Sequence, residues 1–261
     1  MDPVETTELL FWESIERAYV RTFTATVRSL PPGEVILDRT LFYPVGGGQP
    51  SDHGYLRDGQ GREARVVHVE KRGGLVVHRL DRRSPVRFSQ GAVVTGEIDW
   101  ERRYRHMRAH TAQHLVSALV FRHHGLRTEK ARIQSDGAIL TVSGSLPGDA
   151  WQDLARRANN EYLTRDVPVS VEFLRRQELE SLGGRADPDR VPSQVGRVRM
   201  IVIGSLDRCP CGGTHVRSTQ EVGPVELQRP EPSPGGQDTV ILRISPGPGP
   251  GSEKVGTTLR G

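Results

Sequence analysis

The sequence predicts an α+β protein in which a small β-barrel is followed by a mixed α+β domain. The first hundred residues consist of short apolar or alternating runs between turn-forming clusters, which is typical of a small closed sheet. A single long helical pattern and a loose alternation of strands and helices follow. We therefore expect a barrel domain over 1–98 and a second domain over 99–245. The remaining residues, 246–261, have little apolar content and are expected to form a flexible tail.

Five strands are predicted in the first domain. Clusters of glycine, proline and aspartate, such as PPGE, GGGQPSDHG and KRGG, separate them, because these residues favour turns. The predicted strands are TFTATVRSL, EVILDRTLFY, EARVVHVEKR, GLVVHRL and AVVTGEI.

The long helix is predicted over DWERRYRHMRAHTAQHLVSALVFRHHG. Asp99 is a suitable N-cap, and Gly125 is suited to the left-handed position that ends a helix. In the later part of the chain, two further helices and five strands are predicted. The helices are DAWQDLARRANNEYLTR and RRQELESLGG, and the strands are ILTVSGSL, VPVSVEFL, VRMIVIGSL, VGPVELQRP and TVILRIS.

Composition limits the classes of function. The 261 residues carry a net charge of +4, and all but three of the 36 basic residues are arginine. Guanidinium groups favour bidentate phosphate contacts, so RNA is a candidate partner, although a codon bias toward arginine would give the same composition. No run approaches the ~20 apolar residues of a membrane span, and the acidic N-terminus is unlike a secretory signal. We expect a cytoplasmic protein with no membrane partner.

Two short motifs supply four candidate metal ligands. His110 and His114 in HTAQH lie four residues apart, which places both imidazoles on one face of the long helix. Cys211 and His215 in CGGTH flank a pair of glycines that permits a tight turn. Together these side chains offer the nitrogen and sulfur donors that tetrahedral Zn²⁺ prefers. HTAQH lacks the glutamate that serves as general base in HExxH zinc proteases.

Each motif also has an ordinary structural interpretation. Two histidines at helical spacing occur on many helices, and a CxC turn beside a hydrogen-bonded histidine needs no metal. Cys209 could replace Cys211 as the ligand, but its longer separation from His215 ranks it second. The two cysteines lie too close in sequence to cross-link distant parts of the chain by a disulfide, so we expect both to be reduced. Because the two motifs occur together, the metal interpretation is favoured.

Three motifs resemble those of a known family. HTAQHL and DRCPCGGTHV, with YPVGGGQPSDHG earlier in the chain, are similar to the motifs of the free-standing alanyl-tRNA editing proteins, the AlaX group. This group is related to the editing domain of alanyl-tRNA synthetase. The resemblance covers most of the chain and implies a Zn²⁺-dependent hydrolase that deacylates mischarged tRNA(Ala) in trans. Ser-tRNA(Ala) is the chief expected substrate, with Gly-tRNA(Ala) as a candidate second one.

The resemblance also implies roles for particular residues. The metal ligands would be His110, His114, Cys211 and His215. The glycine-rich motif that faces the editing pocket in the family's longer members would be formed by Gly46, Gly47, Gly48, Gln49 and Asp52. Without the resemblance, GGGQP is only a permissive turn, since it matches neither a P-loop nor a dinucleotide-binding motif.

A site that accepts serine should offer its hydroxyl a polar partner. Thr141 and Ser143 in ILTVSGS are the candidates, although either could be an ordinary strand residue. RNA binding would use arginines near the motifs. The candidates are Arg102, Arg103, Arg105, Arg108, Arg175, Arg176, Arg208 and Arg217.

Two other classes of function remain open at the level of sequence. One is an RNA-binding module in which zinc stabilises the fold and no reaction occurs. The other is an editing enzyme for a different aminoacyl-tRNA, because threonyl-tRNA editing domains share the same ligand spacing. GGGQPSD together with CGGTH favours the alanyl group.

Overall fold

The computed structural model describes residues 6–84, 88–228, 236–246 and 258–259. The chain divides into two compact units. The first unit consists of residues 1–46, 50–104 and 252–261, and the second consists of residues 47–49 and 105–251. The division at Tyr104 falls six residues beyond the predicted domain boundary at residue 98.

The first unit contains a closed antiparallel barrel of six strands. Strand β2 pairs with β3 on one side and with β8 on the other, and the order β2-β3-β7-β6-β5-β8 completes the ring. The predicted barrel is confirmed. Its unit has the strands β1 Glu8–Leu9, β2 Thr22–Ser29, β3 Glu34–Leu37, β4 Arg39–Thr40, β5 Gly54–Arg57, β6 Glu63–Arg72, β7 Leu75–Leu80 and β8 Val93–Ile98, and the short helix α1 Ile15–Ala18.

Alternation of side chains along the strands builds the barrel core. In β2, Phe23, Ala25 and Val27 are buried, whereas the threonines between them are half-buried. Successive side chains of a strand point to opposite faces, so the period-two pattern of the sequence becomes one filled face and one outer face.

Part of the predicted tail forms a strand. Thr258–Leu259 pairs in parallel with β2. Pro246 is also described, and the rest of the predicted flexible tail lies outside the described residues.

The long helix, α2 Trp100–His124, has the predicted ends. The Asp99 carboxylate accepts a hydrogen bond from the Arg102 backbone N–H at 3.1 Å, which is an N-cap contact. At the other end, Gly125 has φ of 69° and its N–H donates to the Phe121 carbonyl. All residues of α2 from 106 to 120 are buried. Among the helices in the described part of the chain, none combines the length and apolar character needed to cross a bilayer.

The second unit contains two antiparallel sheets. One has the order β14-β15-β10-β9 and the other has the order β11-β12-β13. Together with the antiparallel barrel, this arrangement confirms the α+β class. The strands are β9 Thr128–Gln134, β10 Gly137–Val142, β11 Val169–Arg175, β12 Arg197–Ile203, β13 Asp207–Pro210, β14 Val225–Gln228 and β15 Thr239–Ile244, and the helices are α3 Ala150–Arg157 and α4 Arg176–Leu182.

The helix predicted over DAWQDLARRANNEYLTR changes its winding partway. After α3, residues Ala158–Leu163 form a π-helical turn. The Asn159 side-chain amide donates to the carbonyls of Ala155 and Val225, and its oxygen accepts from the Val225 N–H. An asparagine that binds a neighbouring strand in this way accounts for the wider turn, because it draws the helix toward β14.

Candidate metal centre

Four side chains in the second unit converge on one point. His110 and His114 project from α2, and Cys211 and His215 come from the turn that follows β13. Their ligand atoms all lie within 4.8 Å of one another. The three histidines are buried and the cysteine is partly buried. The structure thus brings together the four residues that the sequence nominated as metal ligands.

The distances in this cluster suit a metal ion. Cys211 Sγ lies 3.6 Å from His110 Nε2 and 3.4 Å from His215 Nε2. Zn–N bonds of ~2.0–2.1 Å and Zn–S bonds of ~2.3 Å place nitrogen and sulfur ligands about 3.5 Å apart in a tetrahedron. The donor set and its spacing therefore fit zinc.

Each imidazole is held through its other nitrogen. The three Nδ1 contacts are His110 with Gln49 Oε1 at 2.8 Å, His114 with Asp207 Oδ2 at 3.0 Å, and His215 with Thr111 Oγ1 at 3.1 Å. Amide and carboxylate oxygens can only accept, so Nδ1 of His110 and of His114 carries the proton. Nε2 is left as the nitrogen with a free lone pair, and this is the arrangement that orients histidines on metals.

The partners of the imidazoles are themselves anchored. Gln49 Oε1 also accepts from the Thr214 N–H at 3.1 Å, and its amide nitrogen donates to Thr214 Oγ1 at 2.9 Å. Asp207 accepts a hydrogen bond from Arg185 at 2.8 Å. These contacts fix which oxygen or nitrogen of each partner faces the histidine.

The turn that carries Cys211 is shaped by backbone contacts and by glycine. The Gly213 N–H donates to Cys211 Sγ at 3.3 Å, and the Arg199 guanidinium donates to the carbonyls of Cys211 and Gly213. A Cβ at Gly213 would overlap the His110 ring. Only glycine at this position lets the turn approach the histidine closely.

The electrostatics of the cluster favour the ligand forms of Cys211 and His215. At His114, burial lowers the pKa, but the Cys211 thiolate and Asp207 outweigh burial and raise the pKa to about 9. Burial raises the pKa of the Cys211 thiol, but His110, His114 and His215 outweigh burial and hold that pKa well below its ordinary value. Burial, assisted by His110, holds the pKa of His215 well below its ordinary value. A thiolate and a neutral imidazole are the forms that bind metal.

Cys209, the alternative ligand, lies outside the four-residue cluster. Its sulfur contacts the carbonyls of Arg185 at 3.8 Å and Pro210 at 3.7 Å. Burial raises the pKa of this thiol to about 12, so it stays protonated. The geometry supports the choice of Cys211.

The cluster opens into a cavity of about 780 Å³ within the second unit. This volume lies within the range of ~300–1,000 Å³ that is common for ligand sites. The cavity is lined by the metal-centre residues His110, His114 and Cys211 and by the strands β9 and β10. Thr141, the candidate partner for a serine hydroxyl, is part of the lining. Ser143 is exposed, and its hydroxyl accepts from the Arg127 N–H.

The glycine-rich motif is divided between the two units. Gly47, Gly48 and Gln49 belong to the second unit, and Gly47 lines the cavity. Gly48 has φ of 82°, and a Cβ there would overlap the Ala131 carbonyl, so glycine is required where this loop runs beside β9.

Gly46 and Asp52 lie in the first unit. The Gly46 carbonyl accepts a hydrogen bond from the Tyr43 hydroxyl at 2.9 Å. Asp52 is fully buried, forms an ion pair with Arg103 and accepts from the Tyr43 N–H. Both residues therefore belong to a different unit from the one that contains the His–His–Cys–His cluster.

Two arginines that the sequence nominated for RNA are buried. Arg103 binds Asp52 and the carbonyls of Ala18 and Leu41, and Arg108 donates to the carbonyls of Val222 and Ser245. Their guanidinium groups are committed within the protein, so their assignment to RNA contacts was wrong.

Two other residues of the site were not identified from the sequence. Asp207 orients His114, but an isolated aspartate after a strand carries no local signal. Thr111 contacts His215, and its hydroxyl oxygen accepts a hydrogen bond from the Val216 N–H. Its place beside His110 in HTAQH was the one available clue.

Comparisons with known proteins agree with this class of fold and site. The model of tRNA synthetases class II (A) matches residues 11–102, and the model of the threonyl and alanyl tRNA synthetase second additional domain matches residues 198–249. The second match contains the CGGTH turn. The class is therefore that of domains associated with alanyl- and threonyl-tRNA synthetases.

Curated relatives narrow this class to a family. The alanyl-tRNA editing protein AlaX-M of Saccharolobus solfataricus is 32% identical over 89% of this chain and 98% of its own length. AlaX-M of Methanosarcina barkeri is 33% identical over 80% of this chain and 88% of its own length. The chain belongs to the family of AlaX-M alanyl-tRNA editing proteins.

The chain also matches part of larger proteins. An alanine–tRNA ligase of Pyrobaculum neutrophilum is 37% identical over 86% of this chain. The chain spans about a quarter of the length of the alanine–tRNA ligases that it matches.

Proposed function

We propose that this protein is a trans-editing hydrolase that deacylates mischarged tRNA(Ala), with Ser-tRNA(Ala) as its chief substrate and Gly-tRNA(Ala) as a candidate second one. The observation that carries the proposal is the His–His–Cys–His cluster, three of whose residues line a cavity, in a chain that belongs to the AlaX-M family.

We propose Zn²⁺ as the metal. It would be held by His110, His114, Cys211 and His215, whose donor types and spacing fit tetrahedral zinc. Zinc in such a site can polarise a carbonyl, lower the pKa of bound water or orient an amino group.

A separate editing site has a physical rationale. A pocket built for alanine cannot exclude glycine by size, and a hydrophobic pocket rejects an added hydroxyl by only about a hundredfold. Thr141 is our candidate for recognising that hydroxyl. It lines the cavity, and among the described residues the one polar contact of its hydroxyl, with the Thr239 hydroxyl, is long at 3.4 Å. The hydroxyl of a seryl group would offer Thr141 a hydrogen-bond partner, and an alanyl group would offer none.

The cavity offers no uncommitted carboxylate base among the described residues. Its two acidic side chains, Glu129 and Asp187, each lie 3.6 Å from the Arg190 guanidinium. A hydroxyl of the substrate's terminal ribose is therefore our candidate for assisting the attack of water on the ester. Substrates whose terminal ribose lacks the free hydroxyl should be hydrolysed at least tenfold more slowly by the same protein, because proton transfer contributes ~10²–10⁴-fold.

Hydrolysis of three aminoacyl-tRNAs tests the proposal. Zinc-loaded protein and Cys211→Ala would be compared on Ser-tRNA(Ala), Gly-tRNA(Ala) and Ala-tRNA(Ala), with circular dichroism to verify that the variant is folded. We expect rapid loss of serine, sparing of alanine and loss of activity in the variant. Absence of turnover by folded, zinc-loaded wild type on all three would overturn the proposal. RNA binding without turnover would then favour a binding module, and turnover of another aminoacyl-tRNA would favour a different editing specificity.

A further inference from the structure

The sheet β14-β15-β10-β9 has an outward face that begins in the cavity. On it, Lys130 lies opposite Thr141, and Thr141 lies opposite Thr239. The next row consists of Arg132, Ile139 and Ile241 in the same register. Residues paired directly across an antiparallel sheet project from the same side, so these six side chains form one surface. We call it the cationic face.

The cationic face is accessible and carries two positive charges that no acidic side chain of the described residues pairs with. Lys130 and Arg132 are exposed, and the four residues beside them are half-buried. Neither Lys130 nor Arg132 has an ion-pair partner among the described residues. Three other arginines of the same cavity differ in this respect. Arg127 pairs with Asp187, Arg185 with Asp207, and Arg190 with both Glu129 and Asp187.

We propose that the cationic face binds the single-stranded 3′ end of the RNA substrate through its phosphates and guides the terminal ester into the cavity. This inference rests on the proposed function. Lys130 and Arg132 are two residues apart on β9, which separates their positions by about 6.6 Å along the strand. They can therefore contact two different phosphates of an extended strand. Ile139 and Ile241 supply apolar surface for sugar faces, and the Thr239 hydroxyl can bind a ribose hydroxyl.

The dimensions and chemistry of the face favour a single strand over a duplex. Three neighbouring strands span only about 10 Å, which is narrower than an RNA helix. The six residues include no aromatic side chain, so base stacking of the kind used by many single-strand binders is not available. Contacts to the backbone should therefore dominate, and the affinity should depend strongly on salt.

Binding of uncharged RNA tests the inference without requiring hydrolysis. The probe is a fluorescent RNA hairpin with four unpaired 3′ nucleotides, and its dissociation constant is measured by anisotropy across a series of salt concentrations. The variant is Lys130→Gln with Arg132→Gln. The control is Arg62→Gln with Arg156→Gln, which removes two positive charges from exposed residues that pair with Asp58 and Asp153 elsewhere. A blunt hairpin without the unpaired nucleotides is measured in parallel.

We expect the Lys130/Arg132 variant to bind about tenfold more weakly and its salt slope to fall by about 1.4, since each phosphate contact with a single strand contributes ~0.7. The control should keep the wild-type slope, and the blunt hairpin should bind wild type as weakly as the variant binds the overhang. An unchanged slope in the variant, an equal loss in the control, or equal binding of both hairpins would overturn the inference. Failure of wild type to hydrolyse any ester is a separate result that concerns only the proposed function.

Discussion

Oε1 of Gln49 lies 2.8 Å from Nδ1 of His110, and the same amide group makes two hydrogen bonds to Thr214. Gln49 is fully buried. One side chain from the glycine-rich loop thus connects a histidine of α2 to the CGGTH turn. This contact gives the loop a role in positioning the candidate metal ligands, in addition to the lining of the cavity by Gly47.

Gln49→Ala should weaken metal binding. The substitution removes the acceptor that orients His110 and leaves two polar groups of Thr214 without their partner. Loss of such a supporting contact typically lowers metal affinity ~10–100-fold. Competition with a chromophoric chelator measures this affinity. Gln49→Glu keeps an acceptor for His110 and should retain more affinity than the alanine variant, and equal loss in both would show that orientation of His110 is not the cause.

Gly213→Ala should displace His110. The added Cβ would overlap the imidazole ring, so either the turn or the histidine must move. We expect the metal content of the purified protein to fall well below one ion per chain, as measured by mass spectrometry. Gly196→Ala is the matched control, because a Cβ there meets no atom within 4 Å. Full metal content in Gly213→Ala would show that the turn adjusts without cost.

Asp52→Asn should destabilise the protein. Arg103 and Asp52 are both fully buried, and removing the negative charge leaves the guanidinium buried without its ion-pair partner. Breaking a buried pair in this way costs about 3–5 kcal/mol, which urea unfolding can measure. Asp136→Asn, which removes an exposed partner of Arg243, should have little effect. A similarly small effect for Asp52→Asn would argue that water or another group compensates Arg103.

His78 should make stability fall in mildly acidic solution. Burial lowers the pKa of this fully buried imidazole to about 4, and its neutral form is bound by Thr40 and by the Val35 carbonyl. The unfolded chain takes up a proton near pH 6.5 whereas the folded chain does so only near pH 4. The contribution of His78 is therefore intact above pH 6.5 and is lost between about pH 6.5 and 4, by on the order of 3 kcal/mol in total.

The difference between wild type and His78→Gln isolates this effect from the other histidines. Unfolding free energies are measured at pH 7, 6 and 5 for both proteins. We expect the wild type to lose more stability than the variant across this interval. Parallel curves for the two proteins would mean that His78 does not titrate differently on folding.

The sequence predicted correctly those features that depend on residues close together in the chain. Asp99 and Gly125 marked the ends of α2 because caps act within one turn, and β6 agrees with the predicted EARVVHVEKR because its burial largely alternates. The four metal-centre residues were nominated from two motifs, since each pair of ligands lies within five residues.

Contacts between distant segments were not predictable from pattern. Asp207 reaches His114 across 93 residues, and Gln49 reaches Thr214 across 165. Strand β9 was missed because TEKARIQ is an edge strand with one buried residue, Ile133, and reads as a polar loop. Arg103 was misassigned because a buried arginine and an exposed one have the same local sequence signal. Whether an arginine is buried depends on the acidic and carbonyl partners that the fold brings to it, and local sequence does not show these partners.

Titration of metal-free protein with zinc, followed by hydrolysis of Ser-tRNA(Ala) at each zinc level, tests the central claim most directly. If the His110–His114–Cys211–His215 cluster is the metal site of an editing enzyme, activity should rise in proportion to bound zinc and stop at one ion per chain. Full hydrolytic activity in folded, metal-free protein would contradict the account.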